Sequence, residues 1–168
     1  MDVFEAIKTR RSIRKYRKEP VPEELLLKVL EAGRWAPSAK NSQPWNFIVL
    51  KDEKVRRDVA EAFPPGRFLA EAACGIAVVT DPKASNHAVE DGAAATQNML
   101  LAAHALGLGA CWLGVYGGVY EEKVKEILGV PKEKLLISVI SLGFPAETPT
   151  KTRKSLDEIL FTNKYGEK

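Results

Sequence analysis

The stretch Leu106-Gly107-Leu108-Gly109-Ala110-Cys111-Trp112-Leu113-Gly114 looks like a dinucleotide-binding fingerprint, yet it departs from one in two ways. Trp112 stands where the third glycine belongs. The order of elements is also reversed, because a helical pattern from Asn86 to Leu106 runs into the glycines and a strand pattern from Ala110 to Val115 leaves them. The nucleotide fingerprint needs a strand, then glycines, then a helix whose N-terminus receives the pyrophosphate. Here glycine ends a helix by supplying the left-handed cap. This disfavours a doubly wound NAD-binding domain and points to an α+β organisation.

Working outward, the helix before the glycines is built from small residues, Gly92-Ala93-Ala94-Ala95-Thr96 and onward to Ala103, beginning at Asp91. Such a surface lets neighbouring backbones approach, as a central helix requires. Upstream, helical spacing covers Asp2 to Thr9, and Pro22 opens a second helix that runs from Glu23 to Trp35. A polar loop, Ala36 to Pro44, has no regular pattern and precedes a strand from Trp45 to Leu50. A charged amphipathic helix from Glu53 to Phe63 stops at Pro64-Pro65-Gly66, and a short helix, Phe68 to Ala73, leads to a buried strand, Ile76 to Val79. Downstream lie a helix from Tyr120 to Leu128, an apolar strand from Leu135 to Gly143, and a polar tail with a helical turn near Ser155 to Leu160. The whole reads as one domain over residues 1–168, with about four internal strands between helices.

Composition narrows the function classes. The chain has 168 residues, 45% hydrophobic content and a net charge of only +3, with acids and bases mixed in the same segments, so it is not a general nucleic-acid binder. No apolar run approaches membrane-spanning length, and the acidic, amphipathic N-terminus is unlike a secretory signal, which makes the cytoplasm the expected location. Cys74 and Cys111 sit in apolar runs without metal-ligand spacing, as buried free thiols do. There is no P-loop, no paired Cys or His cluster for a metal, and no Ser-His-Asp order. His104, on an apolar helix, reads as a packing residue.

What remains is a set of polar groups beside apolar segments. Arg10-Arg11-Ser12-Ile13-Arg14 places three guanidinium groups and a hydroxyl within five residues. Arginine presents a planar fork of donors that matches phosphate, and a serine hydroxyl can fill a remaining oxygen. A solvated basic helix end explains the same residues equally well. Ser38, Asn41 and Gln43 suit a ring that both donates and accepts hydrogen bonds, although ordinary turn chemistry also accounts for them. Lys151, Arg153 and Lys154 form a second basic cluster or a solvated tail.

Taken together, Arg10–Arg14, Ala36–Trp45, Leu106–Gly114, Gly143-Phe144-Pro145-Ala146-Glu147 and the Lys151-Thr152-Arg153 cluster resemble the nitroreductase family of flavin enzymes, over nearly the whole chain. The resemblance implies a three-layer α+β fold with a central, mostly antiparallel sheet flanked by helices. It also implies a homodimer with two FMN sites at its interface, and a C-terminal extension of residues 145–168 that packs on the partner subunit. The implied activity is NAD(P)H-dependent reduction of nitroaromatics, quinones or similar acceptors, in ping-pong order at flavin N5, with no catalytic side chain and no metal. By the same resemblance, Arg10, Ser12 and Arg11 hold the FMN phosphate and ribityl chain. Arg14 lies near the flavin N1 and C2 carbonyl, where a cation favours the reduced ring. Pro37, Ser38, Asn41 and Gln43 reach the flavin from the other subunit, Leu113 and Gly114 offer backbone along the ring, and Arg153 with Lys151 returns to the phosphate.

The chain is short for the family and leaves little length for a substrate lid. Pro64-Pro65-Gly66 stands where many relatives carry an asparagine at the pyrimidine edge. Phe63, Phe68, Trp112, Tyr116 and Tyr120 are candidate pocket walls as well as core aromatics. A specialised flavin-fold enzyme (dehalogenase, flavin-cleaving or peptide-oxidising) and a non-catalytic flavin-binding protein stay open as alternatives.

Overall fold

The computed structural model describes residues 1–167. Its helices are α1 (Val3–Thr9), α2 (Glu23–Arg34), α3 (Glu53–Ala62), α4 (Ala88–Ala105), α5 (Glu121–Leu128) and α6 (Leu156–Ile159), and its strands are β1 (Trp45–Leu50), β2 (Cys74–Thr80), β3 (Gly109–Leu113) and β4 (Leu135–Gly143). The strands form one sheet in the order β1-β2-β4-β3, and every neighbouring pair is antiparallel. β2 and β4 therefore lie at the centre, which explains why both read as continuous apolar runs. A bulge where Val78 and Val79 face Ser138 and Leu136 skips Ile137 and turns that residue to the other face.

The two faces of the sheet carry two separate cores. Leu50, Ala77, Val79, Leu113, Leu136 and Val139 meet Val59 of α3, Val124 of α5 and the Pro64–Glu71 segment. Ile76, Val78, Ala110, Ile137, Ile140 and Leu142 meet Leu26 and Val29 of α2 and Met99, Leu100 and Ala103 of α4. The result is the three-layer α+β arrangement expected from the sequence. The small residues of α4 have the purpose their composition suggested: a Cβ on Gly92 would stand 2.6 Å from Ile137 Cγ1, so the helix lies directly on β4. Asp2 caps α1 by accepting the Glu5 N–H at 2.9 Å, and Asp52 caps α3 through Lys54 N–H at 2.7 Å. Gly107, at φ +78°, closes α4 as the glycine signal predicts.

Most element boundaries shift by a residue or two from the sequence expectation, and three differences bear on the site. Pro64-Pro65-Gly66 does not interrupt the chain; it opens a 3-10 helix, Pro64–Glu71, because a first-turn proline lacks only an N–H that would have no helical partner. The Ala36–Pro44 loop is not wholly irregular either, since Ala39–Asn41 forms one 3-10 turn. β3 begins one residue early and ends at Leu113, where Val115 N–H turns back to the Leu113 carbonyl at 3.1 Å.

A further extended segment completes this end of the molecule. Ser12 pairs with Ala110 in a parallel bridge, and Ile13 N–H donates to the Ala110 carbonyl at 3.0 Å. Further along, Tyr16 pairs with Pro145, Arg17 N–H donates to the Phe144 carbonyl, and Ala146 N–H donates to the Lys15 carbonyl, each bond 2.9 Å long. Ile13 is buried against Gly109, where a Cβ would come within 2.8 Å of its side chain. Gly109→Val is therefore expected to lower stability by about 1–3 kcal/mol in urea denaturation, by forcing Ile13 off the sheet. An unchanged midpoint would show that the contact is slack.

Candidate functional site

α1 ends when Arg10 N–H bonds to the Ala6 carbonyl at 3.0 Å and the chain becomes extended. Successive side chains in an extended segment point to opposite sides, so Arg10, Ser12 and Arg14 share one face while Ile13 faces the core. The tail returns across that face. Arg10, Arg11, Ser12, Arg14, Pro149, Lys151 and Arg153 line one cavity of about 160 Å³. Two basic clusters some 140 residues apart in sequence thus become one site, and Arg11 joins them physically. Its guanidinium donates to the carbonyls of Lys8 and Arg10, both at 2.7 Å, and of Lys151 at 3.2 Å. Lys154, the third member of the tail cluster, is exposed and does not line this cavity.

The cations of this site stand close together without ion-pair partners of their own. Arg17, Arg34 and Arg57 each pair with a glutamate. Among the described residues, Arg10, Arg11, Arg14, Lys151 and Arg153 pair with no carboxylate. Burial, then the neighbouring Arg153 and Arg11, lower the Arg10 pKa below its ordinary value. Cations brought together and not ion-paired form a site for an anion, and the mix of guanidinium, ammonium and hydroxyl donors is one that suits phosphate.

Arg14 points elsewhere within the same site. Its guanidinium lies over the Phe68 ring, 5.7 Å from the centroid, and its backbone N–H donates to Glu147 Oε1 at 2.6 Å. This contact places Phe68 at the site. Phe63 is buried and meets Tyr120 edge to face at 5.6 Å, a packing contact. Leu113 is buried, so it can offer a ligand only its backbone. Gly114 follows it, exposed, with nothing within 4 Å of the position a Cβ would take.

The loop candidates lie outside this cavity. Pro37, Ser38, Asn41 and Gln43 are absent from its lining, so one protomer does not bring the two sets together. The loop is nevertheless tightly built. Ser38 Oγ accepts Gln43 N–H at 3.0 Å, and Gln43 Nε2 donates to the Asn41 carbonyl at 3.2 Å. Lys40, Asn41 and Gln43 all hold positive φ, a strain that surrounding contacts must offset. The main such contact comes from Asp91, a buried carboxylate that accepts Ala39 N–H at 2.9 Å and the Ser85 hydroxyl at 2.6 Å. In the sequence Asp91 marks only the start of the apolar part of a helix, because its partners are remote in the chain.

His104 Nε2 lies 2.7 Å from Thr9 Oγ1, tying α4 to α1, in keeping with a packing role. Both cysteines are free and buried, and burial pushes the Cys74 thiol up to about 11. Among the described residues no group of three or more His, Cys, Asp or Glu is placed to hold a metal ion, and no helix is long and apolar enough to cross a membrane. A larger groove of about 810 Å³ between α2 and β1 contains none of the candidate residues.

Comparison with known proteins identifies the family. The model of the nitroreductase family matches residues 7–66 and 65–144. A protein of Methanothermobacter thermautotrophicus, named an NADH dehydrogenase/NAD(P)H nitroreductase, is 45% identical over 155 residues, which cover 89% of this chain and 80% of the relative. A structure of a protein with the same name from Parabacteroides distasonis superimposes with a TM-score of 0.92 at 36% identity, covering 96% of this chain and 98% of that one. A nitroreductase of Desulfovibrio desulfuricans, solved in complex with FMN, superimposes with a TM-score of 0.89 at 35% identity, covering 98% of both chains. On the match of family model, sequence and fold, this chain belongs to the nitroreductase family.

Proposed function

We propose that this protein is an FMN-dependent oxidoreductase that uses NADH or NADPH to reduce nitroaromatic, quinone-like or similar small aromatic acceptors. The observation that carries the reading is the set of five cations around one small cavity, none of them ion-paired with a carboxylate among the described residues. These residues suit the phosphate end of FMN in charge and donor type.

Arg10, Ser12 and Arg153 would take the phosphate and the adjoining ribityl hydroxyls, with Lys151 beside them. Arg11 would both add charge and hold the tail in place, since its donors already bind the Lys151 carbonyl. Arg14, directed away from the phosphate group and over Phe68, would face the pyrimidine end of the ring and favour its reduced, more negative form. The open space beside Gly114 supports a planar ligand lying along this backbone. When bound, FMN supplies hydride acceptance at N5 and onward transfer to the acceptor, two substrates using one face in ping-pong order. The protein contributes position and charge, so no acid, base or metal is required of it.

The site is read as one half of a shared one. Pro37, Ser38, Asn41 and Gln43 lie away from the cavity of their own chain, and the natural way for them to reach a flavin is from a second subunit. The tail supports the same arrangement: Leu156, Ile159 and Leu160 are exposed apolar side chains in residues 145–168, and packing on a partner would bury them. Two free, buried thiols are in keeping with a cytoplasmic enzyme.

The purified protein is expected to be yellow, or to become so with FMN, and to bleach anaerobically on addition of NADH or NADPH. A protein that stays colourless with FMN refutes the reading. Arg10→Ala and Arg153→Ala are each expected to weaken FMN binding about tenfold or more, measured by fluorescence titration. Full flavin loading of both variants would remove the phosphate site. Gly114→Val, which meets no neighbour in the free chain, is expected to melt as wild type does and still to bind FMN several-fold more weakly. Sedimentation velocity should give a dimer for the FMN-loaded protein; a stable FMN-loaded monomer would contradict a shared site.

A further inference from the structure

Glu147 stands among the cations of the site, yet it pairs with none of their side chains. Its Oε1 instead accepts two consecutive backbone N–H groups, Arg14 at 2.6 Å and Lys15 at 3.1 Å. One carboxylate oxygen binding two adjacent amides fixes the plane of the peptide between them, and with it the direction in which the Arg14 side chain leaves the backbone. The segment is held on both flanks as well. Tyr16 Oη donates to the Ile13 carbonyl at 2.6 Å, and Ala146 N–H, next to Glu147 in the chain, donates to the Lys15 carbonyl at 2.9 Å. Arg14 has no ion-pair partner among the described residues, so its guanidinium is left over Phe68.

The geometry points to Glu147 as a positioning residue of the flavin site, one that aims Arg14 and whose negative charge, set against that cation, limits how strongly the site prefers reduced over oxidised flavin. The inference rests on the FMN reading above. Its two parts are separable because the glutamate has two properties, reach and charge. The field of the carboxylate extends beyond the amides it binds, since it raises the proton affinity of the neighbouring Tyr16 and Cys111, while Arg14 lowers both. Glu147 and Arg14 thus act with opposite sign on the same neighbours, and a ligand held beside Arg14 would feel the same opposition.

Two substitutions of the full-length holoprotein divide these properties. Glu147→Asp keeps the charge and withdraws the oxygen by one methylene, so the Arg14 N–H loses its acceptor. Glu147→Gln keeps an acceptor oxygen and removes the charge. FMN dissociation constants by fluorescence titration, midpoint potentials by dye equilibration and melting temperatures would be measured for both. E147D is expected to bind FMN on the order of tenfold more weakly. E147Q is expected to bind within about threefold of wild type, with a midpoint potential about 30 mV higher, equal to a tenfold gain in preference for the reduced form of a two-electron couple. E147D binding like wild type, an unmoved potential in E147Q, or changes confined to melting temperature would each overturn the inference. Wild-type protein that takes up no FMN at all would remove the parent reading; wild type that binds it, with both variants indistinguishable from it, removes only this one.

Discussion

The contact that organises this end of the molecule joins a residue without a side chain to one with a branched side chain. Gly109 begins the edge strand β3, and the missing Cβ is the space that Ile13 occupies. Burying such a side chain is worth roughly 1.5–3 kcal/mol, which suffices to hold a short extended segment on a sheet. Once Ile13 is seated, the two-residue period of extended chain turns Ser12 and Arg14 the other way. The basic face is therefore placed by an apolar contact that touches no ligand.

This arrangement resolves a physical difficulty. Five cations that have no ion-pair partner among the described residues repel one another, and side-chain electrostatics alone would spread them apart. The backbone keeps them together instead. Bonds from Ile13 to β3, from Arg17 and Ala146 across to one another's segments, and from the Arg11 guanidinium to the Lys151 carbonyl fix the two basic stretches before any anion arrives. A site organised in this way has its electrostatic cost met by the fold, so an incoming phosphate meets donors already in position.

The loop from Ala36 to Pro44 follows the same logic with different means. Three residues there hold positive φ without being glycine, and a buried carboxylate on α4 clamps the turn through Ala39. Both halves of the proposed site are thus irregular backbone secured by an acid that binds amide N–H groups: Asp91 for the loop and Glu147 for Arg14. The role of neither acid was legible in the sequence. Each lies far along the chain from the backbone it holds, 52 residues for Asp91 and 133 for Glu147, and nothing in local spacing marks a carboxylate whose partner is a backbone amide. Phe68 was legible only as one of several aromatics, because its position under Arg14 depends on how the Pro64–Glu71 helix packs on the sheet.

The order and type of the main elements were set locally. Apolar periodicity, capping aspartates, prolines at helix starts and Gly107 at a helix end act over a few residues, so the helices and strands stand within a few residues of where their patterns place them. The reversal of order around Leu106–Gly114 disfavours a dinucleotide fold for the same reason, since it is a statement about neighbours in sequence. What only the tertiary structure decided is which distant groups meet. Order β1-β2-β4-β3, the bulge that turns Ile137 to its face, and the return of the tail across Arg10–Arg14 follow from packing between segments far apart in the chain. Local pattern marks the basic stretches, and packing makes them one site.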